Sequence, residues 1–241
     1  MARDNIYADE HSALQAFAFD DAVSRVFPDM IKRSVPGYSL IIPMIGVITE
    51  QYAQANSNLY DLGCSLGASL LAMRHGVKHQ GCKVVGIDNS EAMIHRCESY
   101  VDIDNSDVPV ELFQGDVTQF NYQNASVITL NFTLQFIDRD KRLALIEQLY
   151  ESLLPGGVLI LSEKVCFEDA QEQSTQQELH WDFKRANGYS DLEISQKRSA
   201  LENVLVPESA QEQLSRLRHA GFTQAYKWYQ CFNFCSFVAI K

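Results

Sequence analysis

Leu59-Tyr60-Asp61-Leu62-Gly63-Cys64-Ser65-Leu66-Gly67-Ala68-Ser69-Leu70-Leu71 is the stretch that decides the fold. The apolar run before Gly63 has the character of a strand buried in a parallel sheet. Ser65 is placed to cap a helix running from Ala68 to Arg74, so the stretch reads as strand, glycine turn and helix. A helix that starts there directs unpaired backbone N–H groups at whatever lies over the turn, which suits a phosphate or a carboxylate. Glycine also serves such turns through its backbone freedom alone, so function depends on what stands downstream.

Downstream, apolar strands end in acids. Lys83-Val84-Val85-Gly86-Ile87-Asp88 places a carboxylate where a doubly wound sheet holds ribose hydroxyls. Asp88 is equally suited to cap the helix that begins Ser90-Glu91-Ala92. A third strand, Val108 to Phe113, runs into Gln114-Gly115-Asp116-Val117. An adenine fits there, with Asp116 accepting from the exocyclic amine and the next N–H donating to the ring. The fourth strand, Ala125 to Phe132, carries Asn131 to the same crevice. An amphipathic helix from Arg142 to Leu154, a Pro155-Gly156-Gly157 turn and a fifth strand from Val158 to Glu163 complete an α/β alternation that defines a parallel sheet.

Composition narrows the partners. With 241 residues and 46% hydrophobic content the chain can bury a full core. A net charge of −11 without a dense basic cluster disfavours direct nucleic-acid binding. Arg74, His75, Lys78 and His79, the densest basic group, fit the negative end of a helix dipole. The six cysteines include no C-x-x-C pair, so reduced thiols are expected and no metal site. No apolar run spans a bilayer and Met1 to Glu10 lacks a signal-peptide stretch; no membrane association and a cytoplasmic location are the expectation.

The flanks read less cleanly. Ala13 to Asp29, with Phe17, Phe19, Val23, Val26 and Phe27, looks like short strand or helix pieces ending at Pro28. Arg33 to Tyr38 is a turn by composition, and Leu40 to Tyr52 an apolar helix broken near Pro43. Tyr38 either packs or covers a bound adenosine. After the fifth strand, a polar helical insert from Glu168 to Asn187 and a helix from Asp191 to Asn203 are placed to cover the crevice. His180 and Trp181 lie in it, as lid, dimer contact or substrate contact. Thr223 to Gln230 and Asn233 to Lys241 close the chain as two strands of a hairpin whose Trp228, Tyr229, Phe232, Phe234 and Phe237 read as core and edge packing and whose Cys231 and Cys235 read as buried apolar side chains.

Leu62-Gly63 with Gly67, Gly86-Ile87-Asp88, Gly115-Asp116-Val117, the strand to Asn131 and Leu154-Pro155-Gly156-Gly157 resemble, in order and spacing, class I S-adenosylmethionine-dependent methyltransferases. The dehydrogenase turn G-x-G-x-x-G is absent. Longer runs are similar to the carboxy-S-adenosyl-L-methionine synthases: Arg33-Ser34-Val35-Pro36-Gly37-Tyr38-Ser39, Tyr60 to Ser65, Gly86 to Ser90, Leu130 to Phe136 and Ile194-Ser195-Gln196-Lys197-Arg198. The resemblance implies a Rossmann-like fold with a seven-stranded, mostly parallel sheet, an antiparallel closing strand and a helical lid insert at about 165–212. Residues 1–55 then form an N-terminal appendage covering the cofactor, and 56–241 the binding domain.

That resemblance also implies S-adenosylmethionine contacts at Tyr38, Gly63, Cys64, Ser65, Asp88, Asn89, Asp116, Val117, Asn131 and Arg198, without a metal. It implies a homodimer, and a reaction of S-adenosylmethionine with prephenate giving phenylpyruvate and carboxy-S-adenosylmethionine, the donor used by a separate carboxymethyltransferase at the tRNA wobble uridine U34. In the expected chemistry prephenate releases carbon dioxide, the sulfonium methyl loses a proton, and the ylide so formed takes up the carbon dioxide. Arg198 is the expected catalytic residue, its fork holding the new carboxylate; by spacing alone it is a surface arginine paired with Asp191, Glu193 or Glu202. The residues by themselves also allow a methyltransferase acting on a small acidic molecule or tRNA, or a non-catalytic cofactor-binding partner.

Overall fold

The computed structural model describes residues 2–9 and 16–241. Ala13, Leu14 and Gln15, the start of the first flanking segment, lie outside the described residues. Of the rest, residues 16–20 lie outside any helix or strand, and the remainder enters one helix and not short pieces: α1 spans Asp21–Ser34, with the Asp20 carboxylate accepting from Val23 N–H at 2.9 Å. α2 (Tyr38–Tyr52) starts earlier than expected and continues past Pro43. Pro43 and Ser39, whose carbonyl loses its helical partner, are both exposed, at the solvent side of the helix where losing one such bond costs least.

The glycine stretch folds into β1 (Asn58–Leu62) and α3 (Ala68–Gly76). The alternation continues through β2 (Lys83–Asp88), α4 (Glu91–Ile103), β3 (Val110–Gln114), β4 (Ala125–Asn131), α5 (Arg139–Ser152) and β5 (Leu153–Cys166). The lid insert supplies α6 (Ala170–Ala186) and α7 (Asp191–Leu201); β6 (Glu208–Ser209), α8 (Ala210–His219), β7 (Gln224–Cys231) and β8 (Phe234–Ile240) close the chain. The main sheet runs β3-β2-β1-β4-β5-β8-β7, with β6 paired to β5 off this path. β1 to β5 pair in parallel, and β8 inserts antiparallel between β5 and β7. The Pro155-Gly156-Gly157 turn is absorbed into β5 as an irregularity, where pairing with β4 shifts between Ala125 and Val127.

Successive residues of β1 enter opposite cores, because strand side chains alternate in direction. Leu59 joins Leu70, Met73, Val84, Val127 and Ile160 with Ile41 and Ile45 of α2; Tyr60 and Leu62 join Ile128, Leu130, Ile146 and Leu149. Ile41 and Ile45 are wholly buried, worth about 1.5–3 kcal/mol each, so α2 is held against the sheet by the same core as the strands. Arg74 serves more than a helix dipole. It is buried, donates to the carbonyls of Val101, Ser106 and Val108, and pairs with Asp104 at 2.9 Å, fastening the connection into β3. Among the described residues no helix is long and apolar enough to cross a membrane. The six thiols are free.

Candidate active site

At the carboxyl ends of β1 to β4 a cavity of about 780 Å³ opens under α1, α6 and α7. Tyr38, Gly63, Cys64, Ser65, Asp88, Asn89, Asp116, Val117 and Asn131 all line it. Arg198 does not. It is exposed, and its guanidinium lies 5.5 Å from the centre of the Trp181 ring; its neighbour Lys197 faces the cavity in its place.

The turn after β1 differs from the expected cap. Ser65 takes a left-handed φ of 48° and Gly67 stands at the N-cap of α3 without a side-chain bond. Ser65 instead gives its N–H to Asp88 Oδ2 at 2.9 Å, and Asp88 Oδ1 accepts from Ser90 N–H at 2.9 Å. Ser90, not Asp88, caps α4 through Met93 N–H. Asp88 thus joins the glycine turn to the tip of β2, and each carboxylate oxygen keeps a lone pair for a ligand hydroxyl. Burial raises its pKa against the pull of those two N–H bonds.

Gly63 is compulsory. Its φ is +72°, and a Cβ there would sit 2.4 Å from Thr133 Oγ1. That hydroxyl donates to Leu62 O at 2.7 Å and cannot step aside freely. The segment after β4 is pinned from behind: Glu163 accepts from Leu134 and Gln135 N–H at 3.0 and 2.9 Å, and the wholly buried Arg142 donates to the carbonyls of Gln135, Ile137 and Val206 and pairs with Glu208. Cys64 is no nucleophile, since hydrogen bonding with Cys97 and burial hold its thiol well above the ordinary range.

Asn131 offers a direct test of fit. Its amide nitrogen donates to Ser69 Oγ at 3.0 Å, while its Oδ1 is buried without a partner. The ammonium of an amino-acid moiety supplies the missing donor. Asp61, behind the turn, also keeps an unpartnered oxygen, and burial together with the nearby Asp88 pushes its pKa up to about 7. Acids at the tips of β2 and β3, an open glycine turn and an unfilled acceptor therefore suit S-adenosylmethionine.

Lys164 and Lys184 escaped the sequence reading, and His180 and Lys197 were named there without a place in the cavity. Lys164 on β5, His180 and Lys184 on α6 and Lys197 on α7 converge at the cavity beside Ser34, Tyr38 and Phe234. His180 Nε2 donates to Ser34 O at 2.8 Å, and its ring stands edge-on to Phe234 at 4.8 Å. Burial and the neighbouring lysines pull its pKa down to about 2, so the imidazole is neutral. Burial, aided by repulsion from Lys197 and Lys164, brings Lys184 down to about 7. Lys197 falls to about 8 through burial, although Asp4 opposes the shift. The spacing of His180 and Lys184, one helical turn apart, was the available signal. Among the described residues no cluster of three His, Cys, Asp or Glu side chains is placed to hold a metal ion.

The fold is that of the class I S-adenosylmethionine-dependent methyltransferases, and the site suits their cofactor. A family model described as a methyltransferase domain matches residues 59–157. An O-methyltransferase-like structure from Nostoc punctiforme superposes with a TM-score of 0.63 at 13% identity, over 94% of this chain and 64% of that one. Human N-acetylserotonin methyltransferase, solved in complex with S-adenosylmethionine, gives 0.62 at 16% identity, over 92% and 55%. Sequence carries the assignment further: the chain belongs to the carboxy-S-adenosyl-L-methionine synthase family. It is 60% identical to the synthase of Marinobacter nauticus over 99% of this chain and 95% of that protein, and 53% identical to that of Psychromonas ingrahamii over 99% and 98%.

Proposed function

We propose that this enzyme converts S-adenosylmethionine and prephenate to carboxy-S-adenosylmethionine and phenylpyruvate, and that its product is the carboxymethyl donor for wobble-uridine modification of tRNA by a separate enzyme. The observation that carries the reading is that the nucleoside-side residues share one cavity with side chains of α6 and α7. Room for a second small molecule beside the cofactor is thereby lined by groups that attract anions.

Asp88, Asn89, Asp116 and Val117 hold the ribose and adenine, and Asn131 takes the amino-acid ammonium. A sulfonium makes the hydrogens of its attached methyl acidic. Among the described residues no side chain at the cavity forms a nucleophilic pair, so the chain's contribution is to position two substrates, exclude water and stabilise negative charge. Expulsion of the ring carboxylate and hydroxide from prephenate supplies the carbon dioxide, and the hydroxide accounts for the proton lost by the methyl; water is the balancing product. The acidic surface favours small-molecule chemistry over direct tRNA binding.

We further read the working form as a homodimer. Arg198 stands outside its own cavity, and a second copy gives that exposed guanidinium a neighbouring site in which to hold the product carboxylate. Mass spectrometry of the small molecule released on denaturing freshly purified protein tests the reaction: a cofactor heavier than S-adenosylmethionine by one carbon dioxide is expected. Release of only S-adenosylmethionine or S-adenosylhomocysteine, with no phenylpyruvate formed from added prephenate, overturns it. Arg198→Ala should abolish or sharply reduce carboxylation while S-adenosylhomocysteine still binds.

A further inference from the structure

Three lysines meet at one end of the cavity. Lys184 and Lys197 are only 8% and 7% exposed, and Lys164 is half-buried. Lys197 is partly balanced, 3.8 Å from Asp4 Oδ2 and 3.2 Å from Ser34 Oγ. Neither Lys164 nor Lys184 has a carboxylate within ion-pair distance among the described residues. These neighbours supply no counter-charge, since His180 is held neutral and the Asp29 carboxylate is taken up by Arg33, which also donates to the carbonyls of Asp4 and Asn187. Lys141, at another part of the wall, is by contrast paired with Asp138 at 2.7 Å. Burying ammonium groups side by side without counter-charge is costly, and an anion in the cavity removes the cost.

We propose that Lys164 and Lys184, backed by Lys197, form the subsite for the carboxylate of the second substrate that survives the reaction, the 2-oxo acid side-chain carboxylate and not the one expelled as carbon dioxide. The inference rests on the reaction proposed above. Its physical reason is differential binding: cations held against the departing carboxylate would stabilise the charged ground state more than the transition state in which that charge is lost. Held against the remote carboxylate, the same cations contribute binding energy throughout the reaction and orient the ring. The consequence is specific: phenylpyruvate, which lacks the ring carboxylate, should use the same lysines.

Calorimetric titration of phenylpyruvate into protein saturated with S-adenosylhomocysteine tests this. Lys164→Met and Lys184→Met should each weaken phenylpyruvate by about tenfold or more, and raise the KM for prephenate in parallel. S-adenosylhomocysteine itself should bind within about threefold of wild type. Lys184→Arg, which keeps the charge, should retain most of the phenylpyruvate affinity; an arginine variant as weak as the methionine one reveals a packing role and overturns the proposal. At pH about 8, Lys184, facing Lys164, Lys197, His180 and Asp4, is largely neutral before binding, and Lys197, facing Asp4 and Arg33, is partly so. Anion binding should therefore draw in protons, visible as a binding enthalpy that changes with the ionisation enthalpy of the buffer. Prephenate weakened by the methionine variants while phenylpyruvate is untouched moves the lysines to the departing carboxylate and refutes the assignment. If phenylpyruvate shows the lysine dependence yet wild type forms no carboxylated cofactor from prephenate, the anion subsite stands and the proposed reaction falls. Unaltered turnover and binding in the methionine variants leave the reaction and remove the subsite.

Discussion

Replacing Gly63 with alanine should cost stability through two separable effects, and a second substitution should recover one of them. The left-handed φ of +72° costs an alanine about 1–2 kcal/mol. The added Cβ also meets Thr133 Oγ1 at 2.4 Å and Thr133 Cγ2 at 2.7 Å, an overlap worth about 1–3 kcal/mol. Thr133 can relieve it only by giving up its 2.7 Å hydrogen bond to Leu62 O, worth about 1 kcal/mol. Gly63→Ala should therefore destabilise by about 4 kcal/mol in wild type. In a Thr133→Ala background both clashing atoms are gone, the hydrogen bond is already lost, and only the backbone strain and a Cβ neighbour at 3.1 Å remain. The same change should then cost about 2 kcal/mol, a coupling of about 2 kcal/mol. Equilibrium urea unfolding of the four proteins measures it. A coupling below about 0.5 kcal/mol would show that Thr133 does not confine this turn.

Two further outcomes rest on single residues. Asp88→Asn keeps the shape but turns an amide donor toward one of the Ser65 and Ser90 N–H groups, so S-adenosylhomocysteine affinity should drop by about ten- to a hundredfold in calorimetry; a change within about threefold would leave Asp88 a structural bracket only. His180 is neutral in the fold, with its pKa drawn from 6.5 down to about 2, so the unfolded chain binds a proton that the folded chain refuses. Its contribution makes stability fall as pH falls below about 6.5, by up to about 1.4 kcal/mol per pH unit. His180→Gln, which can still donate to Ser34 O, should lose that slope, and parallel urea midpoints for the two proteins between pH about 7 and 4 would refute it.

The sequence by itself determined the strand–turn–helix at Gly63, the parallel alternation and the acids at the strand ends. These depend on local periodicity and turn chemistry, which neighbouring residues carry. It also showed the polar insert whose helices cover the cavity. Other features needed the tertiary structure. α1 and α2 run through Pro28 and Pro43 because packing against the core outweighs the loss of single backbone hydrogen bonds. Asp88 exchanges a helix cap for a bridge to Ser65 because β1 and β2 lie side by side. Lys164, Lys184 and Lys197 come from three elements, and no spacing along the chain announces that they meet. The contrast between Lys197 and Arg198 is one of helical phase: consecutive residues point about 100° apart, and Ile194, Lys197 and Leu201 share the inward stripe of α7. Which of two adjacent cations enters the cavity is decided by how α7 rotates as it docks. That rotation is set by packing against α1, α6 and the N-terminal segment, through contacts such as Gln196 with the carbonyls of Tyr7 and Asp9, and not by the composition of the helix.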